Sequence, residues 1–501
     1  MPIAAYIHIP FCRRRCYYCD FPISVVGDVP PMSRQIGRQP NRQSTDEPQP
    51  VSTSYETRAP LRASTTQTPP FSSIDASDKK PELMSDRVAA ESPTSTVIDG
   101  HGSGAIAQYL DWLEQEIEVT RAATTTALPP LATVFFGGGT PSLLSVKQLK
   151  RILDALQRQF GIQSAAEISI EMDPGTFSLQ QVQGYAQVGI NRVSLGAQAF
   201  QSHILEACGR THTPQDILQA VRWIRQAGIT NFSLDLISGL PHQSMEQWED
   251  SLERAIALHP THLSVYDLTV EPMTAFGRWY QPGATPLPTD DETAEMYRRA
   301  QARLTQAGYL HYEISNYAKP GFQCRHNHVY WRNQPYYGFG LGATSYVNQV
   351  RYSRPRTQAD YRQWVQALTH RGGTLDAESA SPEDSLLDTL MVGLRLAEGI
   401  DLGALAQRFG DRTVYRLLKL LQPYQQKQWV QVFRASTATE VHLNSEFLSE
   451  ILNGLRHEID ESLIDESLID KSLLDDLRLK LTDPEGFLFS NVVLSQIFAE
   501  F

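Results

Sequence analysis

The sequence has few cysteines, no excess of basic residues and no long apolar run. Five cysteines in 501 residues are too few for the disulfide framework of a small secreted domain. Lys and Arg number 44 against 56 Asp and Glu, and the net charge of −12 argues against a nucleic-acid partner. Apolar runs fall short of the roughly 18 residues that cross a bilayer, and we find no secretory signal at the N-terminus. We therefore expect a cytoplasmic protein that is not an integral membrane protein.

Two segments of low complexity interrupt the chain. Between residues 28 and 103, Ser, Thr, Pro and Gln dominate and the apolar residues follow no period. Such a segment buries too little apolar surface to offset the entropy lost on ordering, which predicts a disordered insertion. A five-residue repeat, ESLIDESLIDKSLLDD, runs from Glu461 to Asp476 and does not match the helical period of about 3.6 residues. We interpret residues 436–475 or thereabouts as a second, weakly structured insertion.

Short apolar segments alternate with amphipathic segments in much of the remaining chain. A first strand is predicted at Ala4–Ile9 and a helix at Ile106–Val119. Five further strands are predicted at Ala132–Gly138, Ala166–Met172, Arg192–Gln198, Asn231–Ser238 and His262–Leu268. The helices between them are expected to start at the N-cap candidates Ser145, Ser178, Thr213 and Ser244. Repeated βα units predict a parallel sheet, open or closed into a barrel, with functional groups at the carboxyl ends of the strands.

Three of the five cysteines lie close together in HIPFCRRRCYYCDF, His8–Phe21. Cys12, Cys16 and Cys19 are interpreted as buried structural residues, a zinc site or ligands of an iron–sulfur cluster. A structural zinc site takes four ligands, and the fourth is missing here. Three thiolates with one vacant coordination position favour an iron–sulfur cluster, although zinc and a structural role stay open. The three arginines between the first two cysteines are interpreted as solvated loop charge.

The segment YIHIPFCRRRCYYCDF resembles the CxxxCxxC signature of the radical S-adenosylmethionine (radical SAM) superfamily. The resemblance implies a [4Fe–4S] cluster on Cys12, Cys16 and Cys19, with S-adenosylmethionine bound to the fourth iron through its amino and carboxylate groups. The fold class that it implies is α/β, a partial (β/α)6 radical SAM barrel followed by a small α+β C-terminal domain of helix-plus-wing type. The predicted domains are the core at 1–27 and 104–270, the remainder of the core at 271–380, and the C-terminal domain at 381–501.

A glycine-rich segment, FFGGGTPS, spans Phe135–Ser142. By itself it predicts either a tight strand-to-helix turn or a ligand cradle, because glycines permit close backbone approach and positive φ. Radical SAM proteins have a glycine-rich loop that contacts the methionine amino group. The resemblance therefore assigns Gly138, Gly139 and Thr140 to S-adenosylmethionine binding.

Four polar residues interrupt or end the later apolar segments, and each alone would be interpreted as a structural cap or a buried ion pair. Together they match S-adenosylmethionine-binding residues of the oxygen-independent coproporphyrinogen dehydrogenase family: Glu171, Gln198, Arg210 and Asp235. Tyr6 and Tyr18 match flanking positions of the same set. Some of these contacts belong to a second S-adenosylmethionine in that family, so Gln198, Arg210 and Asp235 are assigned to either molecule.

A third motif lies in the aromatic segment CRHNHVYWRNQPYYGFGLGATSY, which would ordinarily be interpreted as packing and turns. Four of its residues form HNxxYW, which resembles the haem-binding motif of the HemW haem chaperones: His326, Asn327, Tyr330 and Trp331. Imidazole is a common axial ligand of haem iron, and aromatic side chains stack on flat rings. The resemblance predicts haem as a further cofactor, with His328 and Cys324 as other candidate ligands.

The resemblance leaves two functions to distinguish. The coproporphyrinogen dehydrogenases of porphyrin biosynthesis have an essential further cysteine two positions after the cluster motif, whereas this sequence has Phe21, as the haem chaperones do. Phe21 and HNxxYW both favour a haem chaperone that transfers haem to an acceptor haemoprotein. The sequence does not identify this acceptor, and membrane-associated haemoproteins are among the candidates. The alternatives are the dehydrogenase and a binding or regulatory module with a purely structural cluster. No catalytic residue is assigned, and enzymatic activity stays an open question.

Overall fold

The computed structural model describes residues 1–26, 104–124, 127–374, 380–451 and 471–501. The first predicted insertion, at residues 28–103, lies outside the described residues. Residues 452–470 of the second predicted insertion also lie outside them. The domain boundaries drawn from the sequence stay predictions.

Strands and helices alternate through the first part of the chain. Its elements are β1 (Ala4–Ile9), β2 (Phe11–Cys12), β3 (Ser24–Val25), α1 (Gly104–Ala122), β4 (Leu131–Gly138), α2 (Val146–Gln159), β5 (Ile162–Met172), α3 (Leu179–Gln187), β6 (Arg192–Gln198), α4 (Ser202–Ala207), α5 (Pro214–Gln226), β7 (Asn231–Ser238), α6 (Met245–Ala257), β8 (His262–Asp267), α7 (Ala275–Trp279), α8 (Asp290–Gln306), β9 (Leu310–Glu313), β10 (Asn316–Ala318), α9 (Arg325–Trp331), β11 (Tyr337–Phe339), β12 (Thr344–Val347), β13 (Val350–Ser353) and α10 (Gln358–His370).

Shorter elements make up the C-terminal part. They are α11 (Pro382–Gly393), β14 (Ile400–Asp401), α12 (Leu402–Phe409), α13 (Asp411–Gln426), β15 (Val430–Arg434), β16 (Glu440–Val441), α14 (Ser445–Ile451), α15 (Lys471–Leu474), β17 (Leu477–Leu481), α16 (Glu485–Leu488) and α17 (Ser490–Glu500).

A nine-stranded sheet in the order β11-β1-β4-β5-β6-β7-β8-β10-β9 forms the centre of the first part. Neighbouring strands from β11 to β8 all pair in parallel. β10 and β9 add an antiparallel edge. Most residues of the parallel strands are buried, as expected for a sheet whose strands are connected by covering helices. The predicted α/β fold with a parallel sheet is confirmed.

The helix starts follow from the capping residues that the sequence predicted. The side chains of Ser145, Ser178, Thr213 and Ser244 each accept a hydrogen bond from the backbone N–H three residues later. At three of these starts the side chain at that later position bonds back to the cap N–H, forming a capping box. All four predicted starts are confirmed. The strands also occur where predicted, although β5 begins at Ile162 rather than at Ala166.

The C-terminal part builds its own apolar core around an antiparallel sheet in the order β14-β17-β15-β16. β15 and β17 lie on either side of the five-residue repeat in the sequence. Described residues inside the predicted second insertion belong to this core: Phe447 and Leu448 of α14 and Leu474 of α15 are buried. Only Leu474 belongs to the five-residue repeat, since Phe447 and Leu448 precede it. The repeat period did not predict the burial of Leu474, because the residues that it packs against lie on other elements. In the described ranges, no helix has the length and apolar character of a membrane span.

A buried ion pair joins helix α1 to the segment between β13 and α10. Glu116 of α1 and Arg354 are both inaccessible to solvent, with 2.7 Å between Oε1 and Nε. The other carboxylate oxygen accepts hydrogen bonds from the Gly340 N–H at 2.9 Å and from the Tyr361 hydroxyl at 2.6 Å. This carboxylate therefore connects α1, the loop after β11 and α10.

We expect Arg354→Met to lower the free energy of unfolding by about 3–5 kcal/mol, because the substitution leaves the Glu116 charge buried without its cation. The measurement is urea denaturation of the full chain, with Lys150→Ala as the control. Lys150 pairs with Asp154 in an exposed i,i+4 ion pair, and such pairs contribute about 0–1 kcal/mol. A loss for Arg354→Met no larger than that of the control would contradict the prediction.

Candidate functional site

A cavity of about 560 Å³ lies at the carboxyl ends of the parallel strands. The cluster loop after β1, the ends of β4 to β8 and α9 line it. Parallel strands bring their carboxyl ends to one edge of a sheet, so residues distant in sequence meet here. Every residue assigned to the cluster, to S-adenosylmethionine or to HNxxYW lines this cavity except Trp331, and the other candidate ligands, His328 and Cys324, do not line it. The roles that the resemblance assigns to these residues stay predictions.

The three cysteines of the CxxxCxxC segment line the upper part of the cavity. Burial raises the pKa of the Cys12 thiol to about 12, and it also raises the pKa of Cys19. Two hydrogen bonds reach the sulfur atoms: Thr140 Oγ1 donates to Cys12 Sγ at 3.4 Å, and Arg210 Nη1 donates to Cys16 Sγ at 3.4 Å. A bound cation would keep buried thiols deprotonated. Three soft sulfur ligands, two of which accept hydrogen bonds, therefore suit an iron–sulfur cluster.

Two of the arginines in the cluster loop also bond the backbone, although Arg15 is exposed and Arg13 partly exposed, as expected for solvated loop charge. Arg15 donates from its guanidinium to the carbonyls of Cys19, Phe21 and Ile23 at 3.2, 2.9 and 3.2 Å. Arg13 donates to the Gly175 carbonyl at 3.0 Å. A five-donor planar fork can bond several carbonyls of one loop, and here it holds the segment after the last cysteine in place.

The glycine-rich loop packs closely against β1 and the start of the cluster loop. Gly138 has φ +109°, and a Cβ atom there would lie 2.5 Å from the His8 ring. The N–H groups of Gly138, Gly139 and Thr140 donate to Glu171 Oε2, Ile9 O and Phe11 O at 3.0, 2.9 and 2.7 Å. The tight turn therefore exists. A ligand amino group at this loop would meet carbonyl oxygens, because the N–H groups are already paired.

Acidic side chains gather beside the glycine-rich loop. Burial, and then the charge of Asp235, raise the pKa of Glu171 to about 8. Asp235 accepts from the Ser194 hydroxyl at 2.9 and 3.0 Å, while burial raises its pKa as well. Arg210 pairs with Asp173, which the sequence analysis missed although it directly follows Met172 at the end of β5. Burial disfavours the ionised form of Glu171 and Asp235, and an ammonium or sulfonium group of a ligand would favour it, so this position suits a ligand with such groups.

The histidine of HNxxYW lies at the inner wall of the cavity with both ring nitrogens hydrogen-bonded. His326 Nδ1 is 2.8 Å from Thr133 Oγ1, and Nε2 is 2.8 Å from the Tyr330 hydroxyl. The ring stacks on Phe135 with 5.2 Å between centroids. Burial, and then the charge of Arg192, lower the pKa of His326 to about 3, so the imidazole is neutral. Ligation of iron would require one of its two hydrogen bonds to break.

A carboxylate that the sequence did not single out fixes the start of α9. Glu167 of β5 accepts from the backbone N–H groups of Arg325 at 3.1 Å and His326 at 3.0 Å. These are N–H groups that no helical carbonyl satisfies, and a carboxylate near them is favourable. The same strand presents Glu171 four residues later to the glycine-rich loop. One strand therefore contacts both the glycine-rich loop and the start of α9.

The other candidates in the aromatic segment face different surroundings. Trp331 lies under the Arg395 guanidinium of the C-terminal part at 5.5 Å, and its Nε1 is buried without a partner among the described residues. His328 packs against Tyr312 with 5.3 Å between centroids. Cys324 is buried, with its thiol 3.6 Å from Glu167 Oε1.

Family models match both parts of the chain. Residues 101–255 match the Radical SAM superfamily model, and residues 380–432 match the HemN C-terminal domain model.

Two similar proteins are both named heme chaperone HemW. The Synechocystis sp. protein is 39% identical over 499 residues, which cover 100% of this chain and 97% of the relative. The Bacillus subtilis protein is 35% identical over 310 residues, or 62% of this chain and 80% of the relative.

A solved structure shares the fold. The coproporphyrinogen III oxidase (HemN) from Escherichia coli, described as a radical SAM enzyme, aligns with TM-score 0.65 and 21% identity over 100% of this chain and 91% of its own. Together with the family models, it confirms the predicted partial radical SAM barrel followed by a small C-terminal domain.

Proposed function

Because the chain belongs to the heme chaperone HemW family, we propose that it binds haem and transfers it to acceptor haemoproteins. We further propose that it holds a [4Fe–4S] cluster and S-adenosylmethionine. The observation that supports both parts is a single cavity lined by the three cysteines and by His326 and Asn327 of HNxxYW. Membership of the radical SAM superfamily supports the cluster and S-adenosylmethionine independently of haem.

In this proposal Cys12, Cys16 and Cys19 hold the cluster, which supplies one-electron chemistry to S-adenosylmethionine when bound. The residues of the chain would orient the cluster and tune its reduction potential. Thr140 and Arg210 donate hydrogen bonds to two of the sulfur atoms, and such bonds are a recognised control on cluster potential. Arg15 keeps the loop after the third cysteine in one conformation.

S-adenosylmethionine is proposed to lie along the acidic side of the cavity, where the ligand's positive groups would be favourable. The residues proposed to bind it are Tyr6, Tyr18, Gly138, Gly139, Thr140, Glu171, Gln198, Arg210 and Asp235. Because Arg210 bonds both Cys16 and Asp173, it joins the cluster loop to this acidic side. A ligand here would therefore contact residues that also contact the cluster sulfurs.

Haem is proposed to bind through His326, with Asn327, Tyr330 and Trp331 as the other motif residues. The neutral state of the His326 imidazole supports ligation, since a protonated ring has no lone pair for iron. With iron at Nε2, the hydrogen bond between the Tyr330 hydroxyl and this nitrogen would be lost. The acceptor is an unidentified haemoprotein. We propose a cytoplasmic location, because all five cysteines are free and thiolate ligands need a reducing compartment.

The test is anaerobic reconstitution of the full chain, followed by two parallel assays. We expect about one haem per chain by Soret absorbance, and transfer of that haem to a haem-free acceptor. We also expect coproporphyrinogen III to persist when it is incubated with the protein, S-adenosylmethionine and a reductant. Sustained consumption of coproporphyrinogen III would instead assign the dehydrogenase function. Normal haem binding and transfer without any cluster would favour the binding module.

A further inference from the structure

A buried arginine whose Nε has no hydrogen-bond partner among the described residues lines the cavity. Arg192 is the first residue of β6, lines the cavity and is 2% exposed. Its Nε is buried and makes no hydrogen bond within the described part of the chain. Side chains alternate along a strand, so Arg192 lies on the same face as Ser194, which also lines the cavity.

The residue directly opposite Arg192 on the neighbouring strand shows the same deficiency. Ser169 of β5 pairs in register with Arg192. Its Oγ is buried and also lacks a hydrogen-bond partner among the described residues. Buried polar groups in proteins are normally paired. Of the two residues only Arg192 lines the cavity, and Ser169 is the buried donor next to it. Two neighbouring donors on one face without partners among the described residues indicate a place for an acceptor from outside the chain at Arg192.

The nearby carboxylates do not fill this place. Burial lowers the pKa of Arg192, but Cys324, Glu167 and Asp235 raise it and the net shift is upward, so the guanidinium is charged. Glu167 accepts the N–H groups at the start of α9. Asp235 accepts serine hydroxyls. Both carboxylates therefore direct their oxygen atoms to other donors.

Aromatic rings form the wall next to these donors. The rings of Phe135 and Tyr6 are 6.2 Å apart and stacked, and Phe135 also stacks on His326. All three residues line the same cavity as Arg192. Aromatic walls beside a buried guanidinium suit a flat apolar ligand that has a carboxylate at its edge.

We propose that Arg192 and Ser169 bind a carboxylate of a flat apolar ligand, such as a propionate of a porphyrin. The identity of the ligand rests on the proposed function. Arg192 begins β6 and Gln198 ends it, so at about 3.3 Å per residue the two lie about 20 Å apart. The carboxylate proposed for Arg192 is a different group from the S-adenosylmethionine carboxylate that the resemblance assigns to the fourth iron of the cluster.

The test compares haem with haem dimethyl ester, which lacks the carboxylates, on the full chain loaded with its cluster. Arg192→Gln is expected to weaken haem binding about tenfold or more, because charge-assisted hydrogen bonds are lost. Ser169→Ala is expected to weaken it about two- to tenfold. Neither variant should change the affinity for the ester. Arg158→Gln, on the exposed side of α2, is the control and should bind both ligands as the unaltered chain does.

The possible outcomes separate this inference from the proposed function. If the unaltered chain binds neither haem nor the ester, the haem function fails. If it binds haem and both variants bind haem equally well, or if haem and the ester bind with equal affinity, the carboxylate site is overturned. If Arg192→Gln does not fold, as shown by its melting temperature and cluster content, Ser169→Ala decides alone.

Discussion

Substitution of Cys12, Cys16 or Cys19 by Ala is expected to abolish cluster assembly. The unaltered chain should hold about four irons and four sulfides after anaerobic reconstitution, as a [4Fe–4S] cluster requires. Each Ala variant should lose most of both, because a cluster already held by only three protein thiolates has no spare ligand. The measurements are iron and acid-labile sulfide analysis, together with the spectrum of the reduced cluster.

Cys208→Ala is the matched control for this series. Cys208 is also a buried cysteine, but it packs in the small apolar cluster beside Tyr17 and does not line the main cavity. We expect this variant to keep its cluster. Addition of S-adenosylmethionine should perturb the reduced spectrum of the unaltered chain and of Cys208→Ala alike. Tight binding of one zinc ion without sulfide would show that the three thiols form a different kind of site.

Substitution of His326 is expected to have the second-largest effect. His326→Ala should remove or strongly weaken haem binding and shift the Soret band, while the cluster persists because its ligands belong to a different loop. His328→Ala is the matched control, since that imidazole lies two residues away and outside the cavity lining. A His326→Ala protein with an unchanged Soret band would move the ligand to another residue.

The hydrogen bond between His326 and Tyr330 gives this prediction a second, opposite test. The Tyr330 hydroxyl lies 2.8 Å from His326 Nε2, so iron bound at Nε2 would displace it. Tyr330→Phe removes a bond worth about 0.5–1.5 kcal/mol, and haem binding should become equal to or up to about tenfold tighter than in the unaltered chain. Weaker binding in Tyr330→Phe would mean that the hydroxyl contacts haem itself, as the motif assignment allows.

The cavity also explains how two cofactor assignments can meet in one chain. β5 presents Glu171 to the glycine-rich loop and Glu167 to the start of α9. A shift of this strand would therefore move both segments together. The C-terminal part packs on the antiparallel edge of the sheet, through the bridge between Glu313 and Leu396 and the contact of Arg395 with Trp331. The HNxxYW helix thus lies between the barrel and the C-terminal part.

Local patterns in the sequence determined the elements and the chemistry of the cluster loop. The helix starts at Ser145 and Thr213 depend on side chains that bond backbone groups three residues away, and such short-range contacts are readable from adjacent letters. The spacing of the cysteines likewise fixes three thiols on one loop. For the same reason the strands, and the parallel order of their βα units, were predictable.

Only the tertiary structure decided which side chains meet and which remain unpaired. His326 and Glu167 are 159 positions apart, yet the Glu167 carboxylate accepts a hydrogen bond from the backbone N–H of His326. Neither that contact nor the position of Trp331 outside the cavity lining follows from any local period. Arg192 and Ser169 look like ordinary strand residues in the sequence. Only the paired strands β5 and β6 show that Arg192 Nε and Ser169 Oγ lack hydrogen-bond partners among the described residues. The physical reason is that burial and pairing depend on the chain's distant segments, whereas capping and strand patterns depend on near neighbours.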